Sequence, residues 1–356
     1  MREIHTVELT VGMITAKPVV TKSGQVIVDS SVYLTKQHID RIRNYRIESI
    51  SVMEKSIPVR KSETISYDEN TLNTVEHKHF EKAFYKNIEF FRLHINDVLL
   101  RGGFKEKPEL LKQTVELLKK YDEIIPLSEL LHSLRRVDNA TYTHSLNVAL
   151  LCRLMGTWLN FSKEDIDILT LSGLLHDIGK SKIPKEIILK PGKLTDEEYA
   201  VMKQHSLRGY EILKNLPLDS RIKRAALMHH ERGDGTGYPL GLVREDIDSF
   251  SLIVSIADVY DAMSTRRCYR EAICPFEVIE TFEKEGFDKY NSHYATVFLN
   301  HIVDTYMNYN VILNNGKSGQ IILKNKNNLA RPTIYLPSKE FLDLSKHPEL
   351  SINKII

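Results

Sequence analysis

The spacing of apolar positions changes several times along this chain, and each change marks a predicted element. Residues 7–11, 16–20 and 26–28 are short β-rich runs, divided by Gly12 and by a Lys22-Ser23-Gly24 turn signal. Thr35 is placed to cap a short helix through Tyr45, and residues 49–53 read as a closing strand. Residues 1–57 are therefore expected to form a small α+β module. Residues 55–73 are polar and read as a linker. From residue 74 the period lengthens, with Phe80, Phe84, Ile88, Phe91 and Ile95 three or four positions apart. Pro108 and Pro126 open further helices, so 58–125 reads as linker and connector helices. The aromatic stripe is the kind that packs a core rather than a cofactor.

Helical patterning then dominates to about residue 310. Residues 140–159 carry Leu146, Ala149, Leu150, Leu154 and Trp158 on one side. Residues 165–176 form a second apolar helix that Gly179 ends. Residues 181–193, with Pro184 and Pro191-Gly192, read as a loop. Thr195 and Glu198 make a capping box for a helix through Leu213. Asp219 or Ser220 caps the next helix, which runs to His229-His230-Glu231. A glycine-rich stretch, Arg232 to Pro239, follows. Residues 250–263 are apolar and helical but interrupted by Asp258 and Asp261, and Pro275 and Ser292 open two more helices. Beyond Gly316, residues 320–323 and 333–336 flank a polar turn and read as a β-hairpin within a tail at 311–356. The predicted fold class is mainly α: an all-helical bundle at 126–310 with a small α+β module in front and a short hairpin behind.

Composition narrows the function without naming it. The 356 residues exceed one small domain. With 49 basic and 47 acidic side chains the formal charge is +2, which gives no electrostatic reason to expect a nucleic-acid polymer or an anionic membrane as partner. The cysteines number three, without CxxC spacing, so a disulfide framework is not expected and a reducing compartment fits. The first ten residues have no apolar core, and no run approaches the ~18 apolar residues of a spanning helix. The expected location is cytoplasmic.

The chemistry gathers between His144 and Arg270. Five of the 14 histidines fall there: His144, His176, His205, His229 and His230. They lie on four predicted elements or at their ends, His229 and His230 sharing one, together with Asp177 and Asp258. Any one of these histidines alone would read as structural. A buried carboxylate such as Asp258 in an apolar helix is costly unless it is paired or binds a cation. Imidazole and carboxylate together suit Fe, Mn or Zn. His144, His176, Asp177 and Asp258 could form one site and His205, His229 and His230 a second, with Asp177 between them. Two such ions activate water and stabilise in-line displacement at phosphorus. Asp177 and Lys180 are the candidate catalytic residues. Lys180, Arg267 and Arg270 suit phosphate oxygens, and Tyr238 could stack on a base or shape the pocket. Glu231, Asp234 and Asp261 stay open between catalysis and support.

The ordered motifs His176-Asp177-x-Gly179-Lys180, His229-His230-Glu231-Arg232-x-Asp234-Gly235-x-Gly237-Tyr238-Pro239, Ala257-Asp258-Val259-Tyr260-Asp261-Ala262 and Arg267-x-Tyr269-Arg270 resemble the HD-GYP family of cyclic di-GMP phosphodiesterases. That family is a branch of the HD metal-dependent phosphohydrolases. The front module also looks like the small N-terminal domain often fused to it. The resemblance implies hydrolysis of cyclic di-GMP to pGpG, and on to GMP in some members, at an Fe or Mn centre. Some members carry a Glu four positions before the first ligand His; here that position is Ala140, which implies two divalent ions rather than three. Cys268 stands where the family usually has Pro. The guanine preference is inherited from the resemblance, so another cyclic dinucleotide such as cyclic GMP-AMP stays open as substrate. A weakly active signalling scaffold is the rival of another class. The protein partners left open are a second copy of the chain and a cyclase or receptor protein.

Overall fold

The computed structural model describes residues 2–9, 13, 15–21, 26–28, 30, 32, 34, 36–45, 47–52, 115, 141–190, 192–265, 272–285 and 288–356. The linker at 55–73, the connector helices apart from Val115, the Thr35 cap, Ala140, Arg267, Cys268 and Arg270 lie outside these residues. The chain divides into two compact units, Met1–Ile65 and Ser66–Ile356.

In the first unit β1 (Arg2–His5) pairs antiparallel with β4 (Ser49–Val52), and β2 (Val19–Val20) with β3 (Val26–Val28). Helix α1 (Lys36–Asn44) sets Ile39 and Ile42 into a core with Ile4, Val28, Leu34 and Ile50. The predicted strand at 7–11 is a correction. The strand precedes it, and Thr6–Glu8 is a 3-10 turn. The ladder ends at the His5–Ser49 pair, and Thr6 turns inward, its hydroxyl donating to the Ile47 carbonyl. Val7 is left 78% exposed and Glu8 is exposed beside it, so the described residues 7–9 bury only Leu9 and show no alternating face to sustain a strand.

The second unit is mainly helical: α2 (Thr141–Trp158), α3 (Lys163–Leu175), α4 (Lys185–Ile188), α5 (Asp196–Leu213), α6 (Ser220–Met228), α7 (Ser249–Ser264), α8 (Pro275–Glu285) and α9 (Ser292–Thr305). The Thr195 capping box is present, Thr195 Oγ1 accepting from Glu198 N at 3.3 Å and Glu198 Oε2 from Thr195 N at 2.7 Å. Asp219 caps α6. The stretch read as a loop at 181–193 contains the end of a 3-10 segment (Ile178–Lys182) and the one-turn helix α4. Helices α2, α3 and α7 carry long runs of fully buried residues, among them Leu146, Leu150, Met155, Leu169, Ile253 and Ala257. Two of them meet closely at Gly173, where a Cβ would stand 3.0 Å from Ala149 Cα and from the Val148 carbonyl oxygen.

The predicted terminal hairpin exists as β6 (Ser318–Leu323) paired with β7 (Thr333–Tyr335), but it is the middle of a larger sheet. Strands β5 (Asn310–Leu313), β8 (Phe341–Asp343) and β9 (Ile352–Ile355) complete five antiparallel strands in the order β8-β7-β6-β5-β9. The added strands have three or four residues each, too short to show a period of two on their own. The sheet shares one core with the last helices: Val311, Ile321, Ile334 and Leu344 pack in the same cluster as Phe276, Ile279, Phe298 and Ile302. Glu283 of α8 accepts from the Leu329 and Ala330 amides, and Arg331 bridges Glu280 at 2.8 Å and the Leu350 carbonyl at 2.7 Å.

Candidate metal centre

Five helix segments deliver one side chain or pair each to a common point. His144 lies in the first turn of α2, His176 caps the C-terminus of α3, and Asp177 follows it. His205 sits mid-way along α5, His229 caps α6 with His230 next in line, and Asp258 lies inside α7. Gly179 sets how near these come. A Cβ there would fall 1.9 Å from the His205 carbonyl oxygen and 2.4 Å from Gly209 N, so only glycine lets the 3-10 segment lie against α5.

The Asp177 carboxylate faces two ways. Its Oδ2 is 3.3 Å from His176 Nε2 and 3.5 Å from His144 Nε2. Its Oδ1 is 3.4 Å from His205 Nε2 and 3.9 Å from His229 Nε2. Asp258 Oδ1 lies 3.0 Å from His144 Nε2, and its Oδ2 lies 3.9 Å from His230 Nδ1. Two groupings with ligand atoms mutually within 4.8 Å result, His144–His176–Asp177 and Asp177–His205–His229–His230, and Asp177 belongs to both.

The protonation of these rings tests whether a cation fits. Nδ1 of His176, His205 and His229 contacts the carbonyl oxygens of Gly173, Met202 and Ala225 at 2.7, 2.7 and 2.9 Å. A carbonyl only accepts, so each Nδ1 carries the proton and each Nε2 presents a lone pair. His205 Nε2 and His229 Nε2 then face each other at 3.3 Å with no proton between them. His176 Nε2 and Asp177 Oδ1 are buried without a hydrogen-bond partner. Lone pairs converging in a buried site are repulsive as they stand, and a divalent cation would satisfy such a donor set.

The HD domain profile matches residues 108–293, more than half of the chain. The chain belongs to the HD domain family. HD domain phosphohydrolases are metal-dependent, and the His/Asp cluster could bind such a metal. Among curated proteins the chain is 34% identical over 239 residues, 62% of its length and 65% of the relative's, to a cyclic di-GMP phosphodiesterase of Thermotoga maritima. It is 40% identical over 151 residues, 41% of its length and 39% of the relative's, to the cyclic di-GMP phosphodiesterase response regulator RpfG of Xanthomonas campestris. A 3'3'-cGAMP-specific phosphodiesterase 1 of Vibrio cholerae is 41% identical over 145 residues, 41% of this chain and 34% of that one. The matches span less than two thirds of each relative.

Within this HD domain, burial and neighbouring charge set the ionisation. Burial opposes a charge on His144, yet hydrogen bonds to Asp258 and Asp261 overcome it and raise its pKa to about 9 in the metal-free site. Burial lowers His205, lowers His229 well below the imidazole range, and takes His230 down to about 3. Burial would raise the carboxylates, but Lys180 and the imidazoles hold Asp177, and His144 holds Asp258, well below the usual range. Lys180 Nζ is 2.5 Å from Asp177 Oδ2 and its side chain is part-exposed, so it is tied to the cluster and still open to a ligand.

The residues left open by the sequence now have distinct places. Asp261 stands behind His144, accepting from Nδ1 at 2.7 Å, while Asn147 Nδ2 and Thr265 Oγ1 hold its other oxygen at 2.8 and 2.9 Å. It does for His144 what backbone carbonyls do for the other rings. Asn147 was not singled out by the sequence reading; its spacing of three from His144 on one helix face was the available signal. Glu231 is buried and accepts from the Leu240 and Leu242 amides at 2.6 and 2.9 Å, fixing the glycine-rich loop. At Gly237 a Cβ would lie 2.3 Å from Arg232 N, so the loop folds back on its own start. Asp234 is an exposed turn-former that accepts from Thr236. The Tyr238 ring lies 4.7 Å from that of His230, at the edge of the cluster. No helix among the described residues is long and apolar enough to cross a membrane.

Proposed function

We propose that the chain hydrolyses a phosphodiester of cyclic di-GMP, giving pGpG and then GMP if the linear product is also accepted. The observation that carries this reading is the divided Asp177 carboxylate, with one oxygen toward each histidine group. His144, His176 and Asp258 with Asp177 would hold one ion, and His205, His229 and His230 with Asp177 a second. The imidazole-rich donor set favours Fe or Mn over Mg. When bound, such ions supply Lewis acidity, which makes water nucleophilic at neutral pH and stabilises in-line displacement at phosphorus.

The chain's own residues do the rest. The carbonyls of Gly173, Met202 and Ala225 and the Asp261 carboxylate orient the rings before substrate arrives. Asp177 and Asp258 keep their charge at any physiological pH. Lys180, beside Asp177, neutralises a phosphate oxygen, and Arg267 and Arg270 are assigned the same task on sequence grounds. Tyr238 shapes the wall beside His230. Residues 1–57 are read as an input module acting on the catalytic domain at 126–310, in the cytoplasm.

The test is protein purified without oxygen, loaded with Mn or Fe and incubated with cyclic di-GMP. Formation of pGpG, with two equivalents of metal by elemental analysis, is the expected result. Absence of pGpG while bis(p-nitrophenyl) phosphate is cleaved would reject the substrate and keep the metal centre. Cyclic GMP-AMP is the second substrate to assay, because cGAMP-specific enzymes stand among the similar proteins. Faster cleavage of it than of cyclic di-GMP would favour that alternative.

A further inference from the structure

The metal cluster opens on one side into a cleft of about 330 Å³. His230 and Asp258 form the inner part of its wall, so a phosphate held at the cluster carries its esterified nucleoside toward this cleft. The remaining wall divides into two chemical halves. From α7 come Val259, Ala262 and Met263, which are apolar. The other half is polar and aromatic, with Arg232, Thr236, Gly237 and Tyr238 of the glycine-rich loop and Tyr199 of α5. Tyr238 has its ring tilted 30° against His230 and is committed to the cluster. Tyr199 meets Tyr238 edge-on, with ring centroids 6.4 Å apart, and is itself 47% exposed. One turn further along α5, Lys203 sits 5.1 Å from the Tyr199 ring centroid and restrains the ring from that side.

An exposed aromatic ring beside an apolar strip, at the mouth of a phosphoesterase site, has the features of a stacking platform for a base. We infer that Tyr199 is the base-stacking residue of the cleft, receiving one nucleobase of the cyclic dinucleotide against the apolar face of α7. This rests on the function proposed above. Every base has a π-face, so Tyr199 contributes affinity without choosing guanine. Its loss therefore affects cyclic di-GMP and cyclic GMP-AMP alike.

The experiment compares Tyr199→Ala, Tyr199→Phe and the parent on cyclic di-GMP, cyclic GMP-AMP and bis(p-nitrophenyl) phosphate, which has no nucleobase. GMP is added as a competitor in the last assay. Tyr199→Ala is expected to raise KM for both cyclic dinucleotides by about tenfold or more, with kcat changed far less. The loss on the simple ester is expected to be several-fold smaller, and Tyr199→Phe to restore parental KM. GMP is expected to inhibit ester cleavage by the parent and to do so much more weakly in Tyr199→Ala. Equal losses on all three substrates, or parental KM in Tyr199→Ala, would overturn the stacking role. A parent that cleaves the ester but neither cyclic dinucleotide rejects the proposed function instead, and GMP competition then still decides the role of Tyr199.

Discussion

The sharpest demand at the residue scale falls on Asp261. It accepts from His144, Asn147 and Thr265 at once, and Asn147 Nδ2 and Thr265 Oγ1 share one of its oxygens. Asp261→Asn keeps the shape but replaces one acceptor with an NH₂ group. That group must then oppose either the His144 Nδ1 proton or the Asn147 amide, donor against donor. The expected outcome is a loss of about 10- to 100-fold in metal affinity, measured by competition with a chelator, while the far-UV circular dichroism is kept. Unchanged affinity would mean that the His144 ring is held by packing alone. A harsher change, Asp177→Ala, removes the carboxylate shared by both groups, one oxygen toward each. It is expected to lower bound metal from two equivalents to well under one by elemental analysis, where loss of a single equivalent would argue against a shared carboxylate.

At the scale of elements, the site depends on how closely the Ile178–Lys182 segment lies on α5. Gly179→Ala puts a methyl group into the His205 backbone, which cannot yield as a flexible side chain would. It is expected to destabilise by at least about 2 kcal/mol and to reduce bound metal, read together by thermal melting and elemental analysis. Retention of both would show that the segment shifts freely. The same scale explains what was legible beforehand. Helices α2, α5 and α7 were readable because 16 to 18 residues give several turns of pattern, and α5 also has its capping box. Of the histidines brought together here, His176, His229 and His230 were legible through the motifs that hold them, whereas His144 and His205 lie in none of those motifs. Strands β5, β8 and β9 were not legible, since three or four residues are too few for a period, and β9 also pairs with β5 about 40 residues before it. Thr6 turned the first strand early through a hydroxyl bond to Ile47, 41 residues on, which no local pattern encodes. Asp261 was visible as an oddity in an apolar helix, but its role depended on Asn147 and His144 from another helix. Tyr199 was invisible as a site residue, because an exposed tyrosine on an amphipathic helix has no distinguishing spacing.

The last helices and the terminal sheet of the larger unit share one core, and metal binding at the His/Asp cluster is expected to add to its stability. Ile334 of β7 is fully buried in the same core as Phe298 and Ile302 of α9. Ile334→Ala is expected to cost about 2–5 kcal/mol and to lower the melting of the helices with that of the sheet, in one calorimetric transition. Two separate transitions would contradict the shared core. For the metal-free protein the directions of these shifts lead to an expected pH optimum. His205, His229 and His230 are kept neutral when folded, His230 down to about 3, whereas an unfolded imidazole takes its proton near 6.5. The unfolded chain therefore binds more protons than the folded one below pH 6.5, and stability falls on acidification. Asp177 and Asp258, held low, add to the acid loss below the ordinary carboxylate range. His144 works in the other direction: raised to about 9, it holds a proton that the unfolded chain has already released above 6.5, so stability falls as pH climbs from 6.5 through 9. In chelator, the melting temperature is expected to peak near pH 6.5. With Mn bound, a metal ion replaces the proton at His144 Nε2, and the alkaline decline between pH 6.5 and 9 should flatten or reverse. Melting curves at pH 5, 6.5, 8 and 9, with and without metal, decide the matter. A metal-free melting temperature that rises steadily from pH 5 to 9 would mean that the proton on His144 does not stabilise the empty site.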